Sequence, residues 1–182
     1  MRLASPHMRC MLMLCSDMAI RSGTARKLGP EDYDSSRKVL TFTTKYENRQ
    51  ALPVPAELAK LLDQCRKREV PFVAQLTRED SVRGHYFKYD RPLSHQQLDL
   101  DWKRLKQRAG ITRKLTMHDL RRTTVTRVYD ATRDIRLAQA ILGHKNLSST
   151  VWYLDHHLTK VPVDVLEQAR LNSQRLTTET IQ

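Results

Sequence analysis

The pattern of apolar and polar positions predicts two packed helices at the start of the chain. Residues 7 to 18 are almost continuously apolar, which indicates a helix buried on all sides. A short second helix is predicted over Thr24 to Leu28, where Gly29 and Pro30 would end it. Arg21 is therefore expected between two packed helices.

Alternating polarity next predicts a β-hairpin. Val39 to Thr43 and Gln50 to Val54 have the pattern of short strands, and the polar residues 44 to 49 would join them. Pro55 can begin the following helix. That helix has an apolar stripe at i, i+3, i+4 and i+7, made by Leu58, Leu61, Leu62 and Cys65. Residues 70 to 76 are compatible with a third strand.

Capping patterns predict three helices in the second half of the chain. A side chain that accepts a backbone N–H bond at the helix start, and a glycine at the end, mark such helices in a sequence. The start signals are Ser94 with Gln97, Thr116 with Asp119, and Asp134, and the expected ends are Gly110, about Val128 and Gly143. The second half is therefore mostly helical.

Length and charge indicate a single-domain protein that binds a polyanion. The 182 residues suit one compact domain. A formal charge of +12 and a pI near 10.0 favour a polyanionic partner, nucleic acid before an anionic membrane surface. Residues 101 to 128 carry nine basic and two acidic residues, a local net charge of +7. This segment is either a solvated helix face or a surface that follows phosphates, and its candidate DNA-binding residues are Lys103, Lys106, Arg113, Lys114 and Arg122.

Cysteine usage and hydropathy point to a cytoplasmic protein associated with DNA. The three cysteines include no Cys-x-x-Cys pair, so neither a disulfide framework nor a zinc site is indicated. The apolar stretch from Met8 to Cys15 resembles the core of a signal peptide, but it is too short to span a bilayer and soon meets charged residues. The histidines at 118, 144, 156 and 157 lack a three-ligand spacing with carboxylates, so we predict no metal and no cofactor.

Two pairs of residues are candidates for phosphate chemistry. His118 and Arg121 are three positions apart in the first turn of a helix, so both leave one face beside the positive end of the helix dipole. His144 ends a helix, and Tyr153 follows nine residues later on a short helix that residues 146–150 would cap. Taken alone, each of these residues has an ordinary alternative role. His118 and Arg121 would be a surface pair on a basic helix, His144 would cap the end of its helix, and Tyr153 would be a half-buried packing residue.

As an ordered set, these residues resemble the tyrosine recombinases, the phage-integrase family. That family has an arginine after a buried helix, a lysine in a β-hairpin, His-x-x-Arg on a helix, Leu-Gly-His, and a tyrosine nine residues after that histidine. The matching residues are Arg21, Lys45, His118, Arg121, Leu142-Gly143-His144 and Tyr153. The resemblance implies a mainly α fold with a small antiparallel β-sheet (α+β), the recombinase catalytic-domain fold.

The resemblance also implies that Tyr153 attacks a DNA phosphodiester. The product would be a 3′-phosphotyrosyl linkage, which a 5′ hydroxyl can reverse without a metal or a nucleotide cofactor. A phenol needs a base beside it, and His118 is the candidate. The departing 5′ oxygen needs a proton, for which Lys45 resembles the family's general acid.

Three further groups would stabilise the reacting phosphate. Arg21 and Arg121 are assigned to hold its non-bridging oxygens, because a planar guanidinium can bind two oxygens at once. His144 would add a third donor to the same oxygens. The partner implied is double-stranded DNA, on which the family assembles as a homotetramer.

Some features depart from the family pattern. Members often carry an acidic residue where this chain has Thr24, and a glycine within the stretch occupied by residues 17–20. We expect residues 1–160 to form the catalytic domain, with no N-terminal DNA-clamping domain before Arg21. Residues 161–182 are expected to form a helix and polar tail, which either docks on a neighbouring protomer or packs on its own core.

Three other functions fit parts of the pattern. A type IB topoisomerase uses a similar set of residues, although the spacing from Leu-Gly-His to tyrosine favours a recombinase. A catalytically impaired DNA-binding remnant of an integrase would keep the basic helices alone. In a basic structural protein the six candidate residues would be scattered in the fold.

Overall fold

The computed structural model describes residues 3–44, 49–67, 69–81 and 84–158. The seven helices described are α1 (Pro6–Ser16), α2 (Ser22–Ala25), α3 (Ala56–Lys67), α4 (His95–Arg108), α5 (Met117–Thr132), α6 (Ile135–Leu142) and α7 (Leu147–Leu158). The five strands are β1 (Tyr33–Asp34), β2 (Val39–Thr43), β3 (Arg49–Pro53), β4 (Ala74–Ser81) and β5 (Gly84–Pro92). The described part is thus mainly helical with little sheet, as expected.

The predicted hairpin is confirmed. Strands β2 and β3 pair antiparallel, with Val39 opposite Pro53 and Thr43 opposite Arg49. Strand β1 adds to the other edge of β2, which gives the order β1-β2-β3. Thr44, the last described residue before the connection between β2 and β3, is buried.

The second sheet differs from the prediction. Strand β4 begins at Ala74, later than the predicted residues 70–76, and pairs with β5, which the apolar pattern did not predict. Phe72 and Val73, the most apolar residues of the predicted strand, lie fully buried in a turn before β4. Burial in the core, rather than strand pairing, explains why these two residues are apolar.

Several predicted helix ends were wrong by two to four residues. Helix α1 ends at Ser16, two residues before the predicted end, and the chain then turns through a left-handed Ala19. Helix α2 begins at Ser22, two residues before the predicted start. Helix α5 extends past Val128 to Thr132, where a left-handed Arg133 ends it.

Of the two predicted capping boxes, one is complete. The Thr116 hydroxyl accepts a bond from the Asp119 N–H, and Asp119 accepts one from the Thr116 N–H in return. Ser94 accepts a bond from the Gln97 N–H, but the Gln97 amide donates to Asp101 instead of returning to Ser94. The second box is therefore only half formed.

The core has two parts that meet beside the end of α1. The larger part packs α1 against α3, the three-stranded sheet and α4. Helix α1, predicted to be buried on all sides, contributes six buried residues: Met8, Cys10, Met11, Met13, Leu14 and Cys15. The smaller part packs α5, α6 and α7 together and includes Ala19. The Thr124 hydroxyl on α5 donates to the Ser16 carbonyl, which joins the two parts.

None of the helices in the described ranges has both the length and the apolar character needed to cross a membrane.

We expect Thr116→Ala to lower the free energy of unfolding by about 1 kcal/mol, because it removes the side chain that caps α5. Thr116→Ser keeps the hydroxyl and should stay close to the wild type. Urea denaturation of the three proteins measures the difference. Equal stability of Thr116→Ala and the wild type would show that the capping box contributes nothing.

Candidate active site

The first turn of α5 carries two of the predicted site residues on one face. His118 is partly covered and keeps much of its surface accessible, whereas Arg121, three residues later, is a buried charged side chain with 3% of its surface accessible. The Thr116 cap fixes where this helix begins, and so fixes the direction in which both side chains leave it. The predicted shared face is therefore present.

Arg121 connects the other segments of the site. Its Nη1 donates to the carbonyl of Ala19, and its Nη2 donates to the carbonyl of Leu142 at 2.7 Å. Its Nε is buried and has no hydrogen-bond partner among the described residues. Burial, followed by the charge of Arg21, lowers the pKa of Arg121 to about 10, so the guanidinium stays charged at neutral pH.

Arg21 lies at the start of α2, directly after the turn that Arg121 holds. The Ile20 N–H donates to the Leu14 carbonyl at 2.9 Å, which fastens this turn to α1. Arg21, His118 and Arg121 line one cleft of about 860 Å³. Other residues that line the cleft include Arg26, Lys27, Asp32, Phe42, Thr43 and Thr44.

Tyr153 lies behind the cleft, on α7, with 6% of its surface accessible. Its hydroxyl is 2.5 Å from Nε2 of His118. The rings of His118 and His144 both meet the Tyr153 ring edge to face, each with a centroid separation of 5.3 Å. The phenol is thus enclosed between the two histidines that the sequence singled out.

Both histidines are neutral at pH 7. Burial, followed by the charge of Arg121, lowers the pKa of His118 below its usual 6.5. Burial, followed by the charges of Arg121 and Arg21, lowers the pKa of His144 to about 4. A neutral imidazole keeps one nitrogen free to accept a hydrogen bond, so Nε2 of His118 can accept the bond that the Tyr153 hydroxyl donates.

His144 directly follows Gly143, at a position where the left-handed backbone favours glycine. Gly143 has φ of 60° and ends α6, and a Cβ added there would lie 2.7 Å from the Gln50 side chain. The Gln50 amide donates to the Ala140 carbonyl at 2.7 Å. The hairpin strand β3 therefore holds the end of α6 from which His144 projects.

Lys45 lies outside the described residues. Thr44, directly before it, is buried and lines the cleft together with Thr43. The structure brings the other five predicted residues together: Arg21, His118, Arg121, His144 and Tyr153. The alternative in which they are scattered through the fold is wrong.

The five predicted DNA-binding residues divide into two groups. Lys103, Arg113 and Lys114 are exposed, as such contacts require. Lys106 donates to the Leu115 carbonyl at 3.2 Å, and the Nε of Arg122 donates to the Tyr153 carbonyl at 3.2 Å. Lys106 and Arg122 therefore also support local structure, which the charge pattern did not reveal.

Arg113, Lys114 and Arg122 line a second cleft of about 460 Å³, beside α5. Arg127 lines it too, whereas Asp119 is its acidic member. In the described ranges, no three residues of the His, Cys, Asp and Glu types are grouped so that they could hold a metal ion.

The sequence interpretation missed Thr150. It was predicted to belong to the polar stretch that caps α7, but it lies inside that helix, fully buried, with its hydroxyl 3.1 Å from Nδ1 of His144. A threonine at this spacing from a histidine carries no sequence signal of its own. Only the approach of α7 to the end of α6 brings the two together.

Comparison with known proteins agrees with this geometry. Residues 3–160 match the model of the phage integrase family. Tyrosine recombinase XerC of Chlamydia pneumoniae is 23% identical over 167 residues, which are 88% of this chain and 49% of XerC. Four curated relatives match most of this chain, and the chain spans about half the length of each of them.

Two solved structures have the same fold. The crystal structure of XerA recombinase matches with a TM-score of 0.64 at 20% identity, over 93% of this chain and 58% of XerA. The XerH site-specific recombinase bound to its difH substrate, a pre-cleavage complex, matches with a TM-score of 0.64 at 21% identity, over 89% of this chain and 45% of XerH. Together with the match along residues 3–160, these findings confirm the expected fold and show that the chain belongs to the phage integrase family.

Proposed function

We propose that this chain is the catalytic domain of a site-specific DNA recombinase, which cleaves and rejoins strands through a 3′-phosphotyrosyl intermediate. The observation that carries the proposal is the Tyr153 hydroxyl, which lies 2.5 Å from Nε2 of a neutral His118 and close to the charged Arg121. Residues 1–160 would form this domain. A matched relative, XerH, is seen on its DNA substrate, which supports double-stranded DNA as the partner.

In the proposed reaction the Tyr153 oxygen attacks the scissile phosphorus while its proton passes to His118. The bond from phosphorus to the 5′ oxygen breaks, and Lys45 gives that oxygen a proton. A 5′ hydroxyl, from the same or another strand, reverses these steps and releases Tyr153. No bond energy is lost, so rejoining needs no nucleotide.

The charges around the cleft favour an anion there. Arg21 and Arg121 lie close enough for each to disfavour the other's charge, which contributes to the lowered pKa of Arg121. A bound phosphate would offset this repulsion. Because charge grows on the non-bridging oxygens during attack, fixed guanidinium groups stabilise the transition state more than the free substrate.

The proposal extends to DNA contacts and assembly. The exposed Lys103, Arg113 and Lys114 would contact the phosphate backbone on either side of the cleavage site, in a manner that weakens with salt. Family membership further suggests that four copies assemble on DNA. Residues 161–182, expected either to dock on a neighbouring copy or to pack on their own core, lie outside the described residues.

We expect the wild type to form a covalent complex with nicked suicide duplexes, which lose the short cleaved strand and so trap the intermediate. A pool of randomised sequence allows for any target site, and denaturing gel electrophoresis detects the complex. Tyr153→Phe should form none, because it lacks the attacking oxygen. Tyr129→Phe, which changes a tyrosine of α5 outside the cleft, is the matched control.

A wild type that binds the duplexes and never yields a covalent complex would overturn the proposal in favour of the DNA-binding remnant. A complex that persists in Tyr153→Phe would assign the nucleophile to another residue.

The pH dependence should reflect His118. Its pKa lies below 6.5, so the base is neutral above that value and is lost by protonation as the pH falls. Single-turnover complex formation should therefore stay level near neutral pH and fall at pH values below 6.5, by up to about tenfold per pH unit. DNA binding measured at each pH is the control for weakened association. A rate that does not fall at any acidic pH at which the protein stays folded would contradict the role of His118.

Lys45→Ala should slow cleavage far more than it weakens DNA binding, because the departing 5′ oxygen loses its proton donor. A substrate with sulfur in place of that 5′ oxygen has a leaving group that needs no proton. The variant should therefore cleave this substrate at nearly the wild-type rate. If both substrates are slowed equally, Lys45 acts in positioning or binding and not as the general acid.

A further inference from the structure

A buried hydroxyl is directed at His144 from the helix that carries the nucleophile. Thr150 lies three residues before Tyr153, and none of its surface is accessible. Its Oγ1 is 3.1 Å from Nδ1 of His144. The reaction described above assigns no part to this contact.

Helical threonines elsewhere in this chain make a different bond. The hydroxyls of Thr123 and Thr132 on α5 each donate to the carbonyl four residues earlier, the usual partner of a threonine inside a helix. The hydrogen bond of the Thr150 hydroxyl instead reaches outside α7, to the ring of His144. This bond therefore concerns the site as well as the helix.

The direction of the bond decides which nitrogen of His144 holds the proton. His144 is neutral at pH 7, since burial beside Arg121 and Arg21 lowers its pKa to about 4. A neutral imidazole has one N–H and one accepting nitrogen, and the partner of one nitrogen fixes the state of the other. If the hydroxyl donates to Nδ1, the proton must be on Nε2.

We propose that Thr150 is a positioning residue that donates its hydroxyl to Nδ1 of His144 and so leaves the Nε2–H to bind the phosphate being cleaved. The role of Thr150 rests on the proposed strand cleavage. The two ring nitrogens point away from each other, so Nε2 is directed away from Thr150. Without a donor at Nδ1, a fraction of the protein molecules would have the Nδ1–H tautomer of His144. In that tautomer Nε2 presents a lone pair to the anionic oxygens of the phosphate and repels them.

The same bond couples two parts of the site. Tyr153 and Thr150 are about one turn apart on α7, whereas His144 projects from the end of α6. The Thr150 bond can form only when α7 is packed in place. His144 is therefore set to donate only when the Tyr153 hydroxyl is also in position beside His118.

Long-range nitrogen–proton NMR of the full chain with ¹⁵N-labelled histidine tests the tautomer at pH 7 without DNA. Wild-type His144 should carry its proton on Nε2. Thr150→Val keeps the shape of the side chain without the hydroxyl, and it should shift His144 towards the Nδ1–H form. Thr150→Ser keeps the hydroxyl and should retain the wild-type tautomer. Thr132→Val, a threonine change in α5 away from the cleft, is the matched control.

Covalent complex formation is measured on the same proteins. Thr150→Val should lower the single-turnover rate about tenfold or more, by analogy with the loss when the hydrogen-bond partner of a metal-bound histidine is removed. Thr150→Ser should restore most of the rate, which a loss caused only by weaker packing would not predict. Urea denaturation shows whether Thr150→Val is folded.

Two results overturn the role of Thr150. The first is an Nδ1–H tautomer of His144 in the wild type. This result is measured on the wild type alone, so it does not depend on whether any variant folds. The second is a folded Thr150→Val protein with the wild-type tautomer and rate. By contrast, a wild type with the Nε2–H tautomer that forms no covalent complex would overturn the proposed function and leave the Thr150 bond in place.

Discussion

The site depends on the hydrogen bonds that the buried guanidinium of Arg121 donates. The guanidinium donates to the carbonyl of Ala19, just before Arg21, and to the carbonyl of Leu142, just before His144. One side chain thus fixes three segments around a common point. Losing this side chain would leave the two carbonyls without their donor, at a cost of about 1 to 3 kcal/mol for each one that cannot reach water. Lysine, with no planar fork, cannot make both bonds in this geometry.

The positive charge of the cleft also determines the state of its histidines. Arg21 and Arg121 act on both imidazoles and, with burial, keep them neutral at pH 7. The charges proposed to hold a phosphate therefore also prepare His118 to accept a proton from Tyr153. The cationic site and the neutral base both follow from placing the histidines beside arginines in a partly buried cleft.

Ala19 shows how tertiary contacts accommodate a departure from the family pattern. It has a left-handed backbone with φ of 53°, within the stretch where family members often carry glycine. This conformation costs a residue with a Cβ about 1 to 2 kcal/mol. The bond from Arg121 to its carbonyl and the bond from the Ile20 N–H to Leu14 hold the turn on both sides. The buried core around Ala19 completes this support.

The sequence by itself determined the features that depend on neighbouring residues: the apolar α1, the β2–β3 hairpin, the Thr116 cap and the glycine that ends α6. With the family resemblance, it also identified the five residues that the structure brings together, of which Arg21, His118 and Arg121 line the cleft. It did not predict strand β5, whose formation depends on pairing with β4. Nor did it predict the Thr150 bond to His144 or the Arg121 bond to Ala19, 102 residues away in the chain. Local spacing decides how a segment folds, whereas burial, proton position and long-range hydrogen bonds exist only once the segments have packed together.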